Sequence, residues 1–332
     1  MILFIHTGKS SFVKQDIDLL SEHFPLKVHH YKPSKKFSRN LVEQIKLLSK
    51  LARWMFRIRS IYIWFADYHS LLPVLFARIF SKRSFLVLGG YDVVYIPEIK
   101  YGSFSNPLRS FCASISLKFA NFLLPVDPEL AVQARKRVKQ ISGKIVTVPT
   151  GYDPKIWFPD SVKENTILTV AICHSLQRIR LKGIDFFIKI AGELPEYNFK
   201  IVGISPALMS ELPRLPNLTV LASLDSKALR REYSRAKVYA QFSLHEGLPN
   251  VLCEAMLCQC IPVGSHVGGI PTAIGGCGFL LKKREFESAK NIVVKALNAP
   301  PELGKKARAH ILNNFPIHRR EEALIEILSR PG

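Results

Sequence analysis

Short apolar runs alternate with longer amphipathic segments along the whole 332-residue chain. Runs such as Ile2–His6 and Ile261–Gly264 have the length of strands, and segments such as Ser11–His23 repeat apolar residues at helical spacing. This β-α-β-α order predicts parallel sheets that are covered by helices on both faces. We therefore expect an α/β fold built from Rossmann-like, doubly wound sheets.

The same pattern predicts individual elements in each half of the chain. Strands are expected at Ile2–His6, Lys27–Tyr31, Ile61–Trp64, Phe85–Leu88, Phe122–Val126, Lys144–Val148, Thr166–Ile172, Phe199–Val202, Thr219–Leu221, Val238–Phe242 and Ile261–Gly264. Helical patterns lie between the strands of the first half, for example at Ser11–His23, Leu41–Arg59 and Pro128–Gln140. In the second half, helices are expected at Ile184–Leu194, Ser226–Ala236 and Pro249–Gln259, with three more after Glu285.

The chain is longer than one compact core usually allows, which predicts two domains. Between the halves lies the segment 148–159, which holds three prolines and one glycine and is typical of a connector. We place the first domain at 1–150 and the second, with the terminal helices, at 151–332. In open α/β sheets ligands bind beyond the carboxyl ends of the strands, so two such domains are expected to face a common cleft.

The net charge of +21 is concentrated in the first half, where residues 1–151 hold 23 Lys and Arg against 9 Asp and Glu. Such an excess indicates an anionic partner, either nucleic acid or an anionic lipid surface. Six cysteines at irregular spacing do not form a zinc pattern and are expected to be buried thiols in a reducing cytosol. The apolar start of the chain is predicted to be a strand, and neither a signal peptide nor a membrane-spanning segment is predicted.

The segment His245–Met256 carries two glutamates, Glu246 and Glu254, on either side of a predicted helix start at Pro249. A proline is accepted in the first helical turn, and the free N–H groups of that turn favour a phosphate. A carboxylate accepts two hydroxyl hydrogens, as vicinal sugar diols offer. One glutamate is thus suited to a ribose and the other to a hexose, with a diphosphate between them; as isolated residues, both would be ordinary surface groups.

From Lys237 to Leu281 this segment continues into Cys-Ile-Pro-Val-Gly, Gly-Gly-Ile-Pro and Gly-Phe-Leu-Leu. The whole stretch closely resembles the carboxy-terminal motif of the retaining glycosyltransferases of family four, with two glutamates separated by seven residues. Further matches lie at Val148–Asp153, at Leu181–Asp185 and at Lys200–Gly203. The resemblance implies a GT-B fold, and it is strong over residues 140–300 and weak before them.

The resemblance also implies residue roles. Glu254 would bind the nucleotide ribose and Glu246 would lie near the donor sugar. Lys182 would neutralise the diphosphate, and Gly203 would lie near the base. The loop beneath sugar and phosphate would contain Gly247, Leu248 and Pro249, and Asn250 is placed with these donor-binding residues.

Two positions depart from the family pattern. The arginine that usually stands five residues before the lysine is Gln177 here, so Arg178 or Arg180 would replace it, with a slight preference for Arg178. The family's His-Gly-x-Asp motif appears as Gly89-Gly-Tyr-Asp92, which keeps Asp92 as the candidate for contact with the acceptor or donor sugar. An alternative role for Asp92 is turn formation.

The first loop, His6–Ser10, lacks the glycine that a Walker loop needs at position 3, so a nucleoside triphosphatase is rejected. In the resembled family this loop, around Gly8, borders the donor diphosphate. Asp16-Ile-Asp18 is interpreted as a helix surface feature, and no metal or other cofactor is expected. His69 remains a weaker candidate for the cleft.

The predicted helix over 41–59 has an apolar stripe and a basic stripe. A domain helix that packs on its sheet with a solvated basic face is one interpretation; attachment to anionic lipid headgroups is the other. The apolar stripe is Leu41, Ile45, Leu48, Ala52 and Met55, and the charged one is Glu43, Lys46, Lys50, Arg53 and Arg57.

These observations predict a metal-independent, retaining glycosyltransferase of the cytoplasm that moves a hexose-type sugar from a nucleotide sugar to a glycan, lipid-linked or other hydroxyl acceptor. A peripheral position at the inner membrane face is a further expectation. Another sugar-nucleotide enzyme of the same fold, such as an epimerase, is the alternative. A nucleic-acid-binding protein is suggested by charge alone, since no recognition motif accompanies it.

Overall fold

Two six-stranded sheets, each entirely parallel, form the framework of the chain. The computed structural model describes residues 1–34 and 36–330. It divides the chain into two units: Met1–Thr150 together with the residues from His318 onward, and Gly151–Ile317. The α/β class expected from the alternating pattern is confirmed.

The sheet of the first unit has the strand order β2-β1-β3-β4-β5-β6. Its inner strands are buried along their whole length, as expected of parallel strands with helices on both faces. In chain order, the elements are β1 Ile2–His6, α1 Ser11–His23, β2 Leu26–His30, α2 Phe37–Arg53, β3 Ser60–Trp64, α3 Tyr68–Ile79, β4 Arg83–Leu88, α4 Pro107–Phe119, β5 Phe122–Pro125, α5 Pro128–Arg137 and β6 Lys144–Ile145.

The sheet of the second unit has the order β12-β11-β10-β7-β8-β9. The final helix α14 starts at the unit boundary and otherwise belongs to the first unit. The elements are β7 Glu164–Cys173, α6 Leu176–Lys182, α7 Ile184–Gly192, β8 Asn198–Ile204, α8 Pro206–Met209, β9 Leu218–Leu221, α9 Ser226–Arg235, β10 Ala236–Gln241, α10 Asn250–Leu257, β11 Ile261–Ser265, α11 Ile270–Ile274, β12 Phe279–Leu281, α12 Phe286–Asn298, α13 Pro301–Asn314 and α14 Ile317–Ser329.

Helices α3 and α4 lie between predicted strands, as the alternating pattern requires, but their bounds were not predicted from the sequence. Helix α3 is apolar on most sides and contains Pro73, so it lacks the one-sided pattern of a surface helix. Few polar residues separate the end of helix α4 from strand β5. In the sequence, the two elements therefore form one nearly continuous apolar stretch. Helix α2 also begins earlier and ends earlier than the predicted 41–59.

The position of α14 corrects two expectations. Asp16 does not lie on a helix surface: its carboxylate is fully buried and pairs with Arg320, with Nε–Oδ1 at 2.6 Å and Nη2–Oδ2 at 2.8 Å. Tyr62 and Trp64 donate to the same carboxylate, each at 2.8 Å. Because this buried network ties α14 to α1 and β3, the last helix belongs with the first unit and not with the second domain.

Helix α2 turns its predicted apolar stripe toward solvent. Its leucines Leu47 and Leu51 are buried, whereas Leu41, Ile45 and Leu48 are exposed. The expectation that this stripe packs on the sheet is therefore wrong. The reason is that α2 has apolar residues on two faces, and its sequence alone does not say which of them the sheet covers.

No helix among the described residues is long and apolar enough to cross a membrane. The six cysteines are free thiols, and five of them are buried.

Candidate functional site

The second unit has a topological switch point between β7 and β10. These strands are neighbours, and from them the chain proceeds outward in opposite directions, through β8 and β9 on one side and β11 and β12 on the other. In open parallel sheets, ligands bind beyond the carboxyl ends of the strands at such a point. Lys182 follows β7 and Glu246 follows β10, so both candidate residues lie on segments that leave the sheet there.

Lys182 and Glu246 form a direct ion pair, with Nζ–Oε1 at 2.6 Å. Lys182 ends α6, and Gly183 then takes the left-handed conformation with φ of 68° before α7 begins at Ile184, as predicted. A Cβ at Gly183 would come within 2.0 Å of the Phe242 carbonyl oxygen. Only glycine permits this close approach of α6 to the end of β10, and the approach brings the lysine to the glutamate.

Glu246 Oε1 accepts two further hydrogen bonds, from Gln241 Nε2 at 2.8 Å and from Ser243 Oγ at 2.7 Å. Its side chain is only 11% exposed. Burial disfavours the ionised form, but the Lys182 ammonium and the hydrogen bonds outweigh this and hold the pKa of Glu246 below its usual value. The carboxylate is therefore ionised and fixed in position.

Glu254 lies inside α10 and is also buried, with 8% exposure. Tyr233 donates its hydroxyl to Glu254 Oε2 at 3.3 Å. Burial is the main influence and raises the pKa of Glu254 to about 7, since this single hydrogen bond offsets it only in part. Glu254 is thus not the solvated surface group that an isolated motif would suggest.

The loop before α10 is held by the loop that follows β11. The Gly269 N–H donates to the Gly247 carbonyl at 2.8 Å. Gly268 has φ of 51°, and a Cβ there would meet the Glu246 carbonyl oxygen at 2.0 Å. The two loops therefore contact each other through their backbones. This contact fixes the position of the Glu246–Gly247 backbone ahead of α10.

The remaining donor-binding candidates of this loop surround the start of α10. Leu248 and Pro249 are buried, and Pro249 is the residue before the first helical turn rather than part of it. Asn250 begins the helix and accepts a hydrogen bond from the Tyr152 hydroxyl at 2.8 Å. The predicted helix start was thus one residue early, while the turn with its free N–H groups is present.

The two candidate arginines differ in position. Arg178 lies four residues before Lys182 on α6, and therefore on the same helix face, whereas Arg180 points to another side and is exposed. Arg178 Nε also donates to the Ile172 carbonyl at 2.9 Å. Gly203, near the end of β8, has φ of 106° and lies against the backbone of Ala171 in β7.

Three candidates belong to the first unit. Asp92 is fully buried, and its carboxylate accepts backbone N–H groups of Gly90 at 2.8 Å, Gly89 at 3.3 Å and Ala66 at 3.4 Å. Burial raises its pKa to about 6, and the N–H groups oppose that rise. Within this unit Asp92 stabilises the turn after β4, which is the alternative role considered for it.

Gly8 and His69 each take part in one local hydrogen bond of the first unit. The exposed loop at Gly8 is held by His6, whose Nδ1–H donates to the Gly8 carbonyl at 2.9 Å. His69 is buried and donates from Nε2 to the Trp64 carbonyl at 2.7 Å. Burial lowers the pKa of His69, so a neutral, structural histidine is indicated.

Within the described part of the chain, one group of three side chains is close enough to hold a metal ion, namely Glu22, His23 and Glu321. It lies on the surface of the first unit, outside the Glu246 network. Its short His23–Glu321 contact of 2.7 Å is a hydrogen bond between exposed side chains.

Sequence reasoning missed the residues that support the two glutamates. The Tyr239 hydroxyl donates to Gln241 Oε1 at 2.8 Å, and its ring meets that of Tyr233 edge-on at 5.9 Å. A side-chain network therefore extends from Lys182 to Glu254. Tyr239, Gln241 and Ser243 recur at every second position, and polar groups on one face of an otherwise apolar strand are the signal that points to them.

Comparison with known proteins relates the second unit to a known family. Residues 165–299 match the family described as Glycosyl transferases group 1. Most of the second unit therefore matches this family. Trehalose synthases of Thermococcus litoralis and Pyrococcus furiosus are each 27% identical to the chain, over 44% of the chain and 40% of those proteins. The chain thus spans less than half the length of these curated relatives.

Solved structures match the chain in fold over nearly its whole length. A sucrose-phosphate synthase from Thermosynechococcus elongatus has a TM-score of 0.82 with 16% identity, covering 98% of both chains. Anabaena HepE in complex with UDP-glucose has a TM-score of 0.75 with 16% identity, covering 99% of both chains. The chain has the GT-B fold, as the resemblance implied.

Proposed function

We propose that the protein is a retaining glycosyltransferase that takes its sugar from a nucleotide sugar. The observation that carries the proposal is the buried Lys182–Glu246 pair at the switch point of a glycosyl transferases group 1 domain. Glu254, which is connected to Glu246 through Tyr233, Tyr239 and Gln241, supplies a second carboxylate. The complex of HepE with UDP-glucose supports a nucleotide sugar as donor.

The chemistry follows from where charge develops. When the bond between the anomeric carbon and the diphosphate breaks, negative charge builds up on the leaving oxygens. The Lys182 ammonium, Arg178 on the same helix face and the N-terminus of α10 are positive groups suited to stabilise that charge. We propose that these groups replace a divalent ion.

The glutamates have separate tasks in this proposal. Glu246 is held ionised by Lys182 and Ser243, and it accepts hydrogen bonds from the donor sugar hydroxyls. Glu254 accepts both hydroxyls of the ribose. Ser265, at the end of β11, has a buried hydroxyl without a hydrogen-bond partner among the described residues, and the donor is proposed to supply one.

A thermal-shift screen of nucleotide sugars tests the proposed function. A donor at 100 times its dissociation constant stabilises the protein by about 2.7 kcal/mol, which a melting curve resolves. The matching donor should then transfer its sugar to a hydroxyl acceptor with retained anomeric configuration, read by NMR of the product. Isomerisation of the donor sugar without any acceptor would instead indicate an epimerase.

Donor affinity is expected to rise with pH. Glu254 has a pKa of about 7 in the free protein, and its ionised form accepts the two ribose hydroxyls. Below this pKa, protonation must be reversed for binding, so affinity falls by up to about tenfold per pH unit. Calorimetry with an intact nucleotide sugar, which has no phosphate group titrating in this range, measures the effect. A profile that stays flat across pH 7 would contradict the assignment.

We also propose that the first unit associates with an anionic membrane surface through α2. The exposed apolar residues Val42, Ile45 and Leu48 lie on a helix that also carries exposed basic residues. Basic residues near such a surface contribute about 1 kcal/mol each. A lipid-linked or cell-surface glycan acceptor would suit this placement.

Vesicle co-sedimentation tests the membrane proposal. Lys50 is held by His29 at 2.9 Å, so the exposed residues Arg53 and Arg57 are the better sites for charge reversal. Arg53→Glu with Arg57→Glu should weaken pelleting with acidic vesicles at low salt, because attraction between exposed charges is screened as salt rises. Equal pelleting with neutral and acidic vesicles, or no effect of the reversal, would rule this surface out.

A further inference from the structure

The first unit contains a pocket of about 680 Å³ that the donor chemistry does not use. It lies among the amino-terminal halves of α2, α3 and α4, which follow β2, β3 and β4 in the chain. The pocket is therefore at the carboxyl edge of the first sheet, the edge where ligands bind in open α/β sheets.

Most of the wall is apolar. Leu41 from α2, Leu71 and Leu72 from α3, and Leu108 from α4 line the pocket. Leu41 and Leu108 are about half exposed, so apolar surface continues from the pocket to the outside. A wall of this kind favours a ligand with a hydrocarbon chain, because burying apolar surface against it is favourable.

Polar side chains from α2, α3 and α4 also line the pocket. The Arg109 guanidinium lies 5.2 Å from the centre of the Tyr68 ring, with Asp67 at 3.8 Å from its Nε. The Tyr68 hydroxyl donates to Asn106 Oδ1 at 3.3 Å. Arg109, Tyr68 and Asn106 all line the pocket. The pocket thus offers both an apolar wall and hydrogen-bonding groups to one ligand.

Gln44 provides the second, independent observation. Its Nε2 donates to the Tyr68 carbonyl at 2.8 Å and to the Tyr31 hydroxyl at 3.3 Å. Its Oε1 is buried and has no hydrogen-bond partner among residues 1–34 and 36–330. A buried acceptor without a donor is costly, so a pocket ligand that donates a hydrogen bond would be favoured here.

We propose that this pocket binds an amphiphile that combines a single hydrocarbon chain with a hydroxyl-bearing head. The chain lies along the four leucines, and a head hydroxyl donates to Gln44 Oε1. Resting on the proposed transferase function, this assigns the acceptor to the class of hydroxylated lipids, such as a lipid-linked sugar.

Calorimetry with alkyl glucosides, each below its micelle-forming concentration, tests the pocket. Affinity should rise with chain length from hexyl to decyl, by up to about fourfold per methylene, which corresponds to about 0.8 kcal/mol. Free glucose should bind at least tenfold more weakly than the decyl glucoside. Equal affinity for free glucose, or no binding of any alkyl glucoside, would overturn the proposal.

Matched variants locate the binding. Leu72→Trp fills the pocket, whereas Ile79→Trp changes a 72% exposed position on the same helix that does not line it. Decyl glucoside affinity should fall at least tenfold in the first and stay unchanged in the second. Leu108→Glu places a charge in the apolar wall of the pocket. Because Leu108 is half exposed, this second variant is expected to fold. Equal affinity in Leu72→Trp, Leu108→Glu and the wild type would overturn the assignment.

Nucleotide-sugar binding by the second unit is measured on the same samples. If it persists while alkyl glucosides do not bind, the pocket assignment fails and the proposed function stands. If the wild-type protein binds alkyl glucosides but no nucleotide sugar, the proposed function fails, and the pocket remains a lipid site.

Discussion

Replacing Arg320 by methionine is expected to destabilise the first unit by about 3–5 kcal/mol, the usual cost of breaking a buried ion pair. The change leaves the Asp16 carboxylate in a fully buried place without its cation. Tyr62 and Trp64 still donate to it, but neutral donors do not replace the charge. Urea unfolding followed by tryptophan fluorescence measures the loss, since Trp64 contacts the network directly.

The neighbouring Arg319 provides the control. It is exposed on the same helix, and Arg319→Met should change the unfolding free energy by no more than about 0.5 kcal/mol. Adding Asp16→Asn to Arg320→Met should recover part of the loss, because the stranded charge is removed. Equal stability of the two single variants would show that the buried pair does not hold α14.

Replacing Lys182 by alanine is expected to lower the rate of sugar transfer by about 10²–10³-fold, the scale seen when one group that stabilises developing negative charge is removed. Lys182 is the cation in direct contact with Glu246, at 2.6 Å. Because the charge on the leaving diphosphate is largest in the transition state, kcat should fall more than donor affinity. Steady-state kinetics with the donor found by screening separates the two.

Two controls make this result specific. Lys227→Ala removes an exposed lysine of the same unit and should leave transfer unchanged. Wild-type activity should also survive a chelator, since the proposed stabilisation of the leaving group uses side chains and a helix end. Loss of activity in EDTA with recovery on adding a divalent ion would contradict that proposal.

The sequence predicted the fold well where local pattern and environment agree. Strand β1 and helix α1 have the predicted bounds, because alternating apolar runs and helical periodicity are both local signals. The bounds of helix α3 were not predicted, because a helix that is buried on most sides has no polar face. The stripe on α2 was assigned to the wrong side, since burial depends on the neighbouring elements that the periodicity does not contain.

The candidate site was predictable only in part, and for a similar reason. The glutamates stand in one short motif, and the structure shows their environment: Glu246 paired with Lys182, and Glu254 beside Tyr233. Asp16 was interpreted as a surface residue because its partner, Arg320, lies 304 positions away. Contacts of such separation leave no local pattern.

The most direct test of the central claim is donor affinity in Glu254→Gln, measured by calorimetry at a pH above 7. The change keeps the size of the side chain and removes the charge that accepts the ribose hydroxyls. The account predicts a folded protein with donor binding weakened by about 1–3 kcal/mol, the scale of hydrogen bonds to a charged group. Unchanged donor affinity in the folded variant would contradict it.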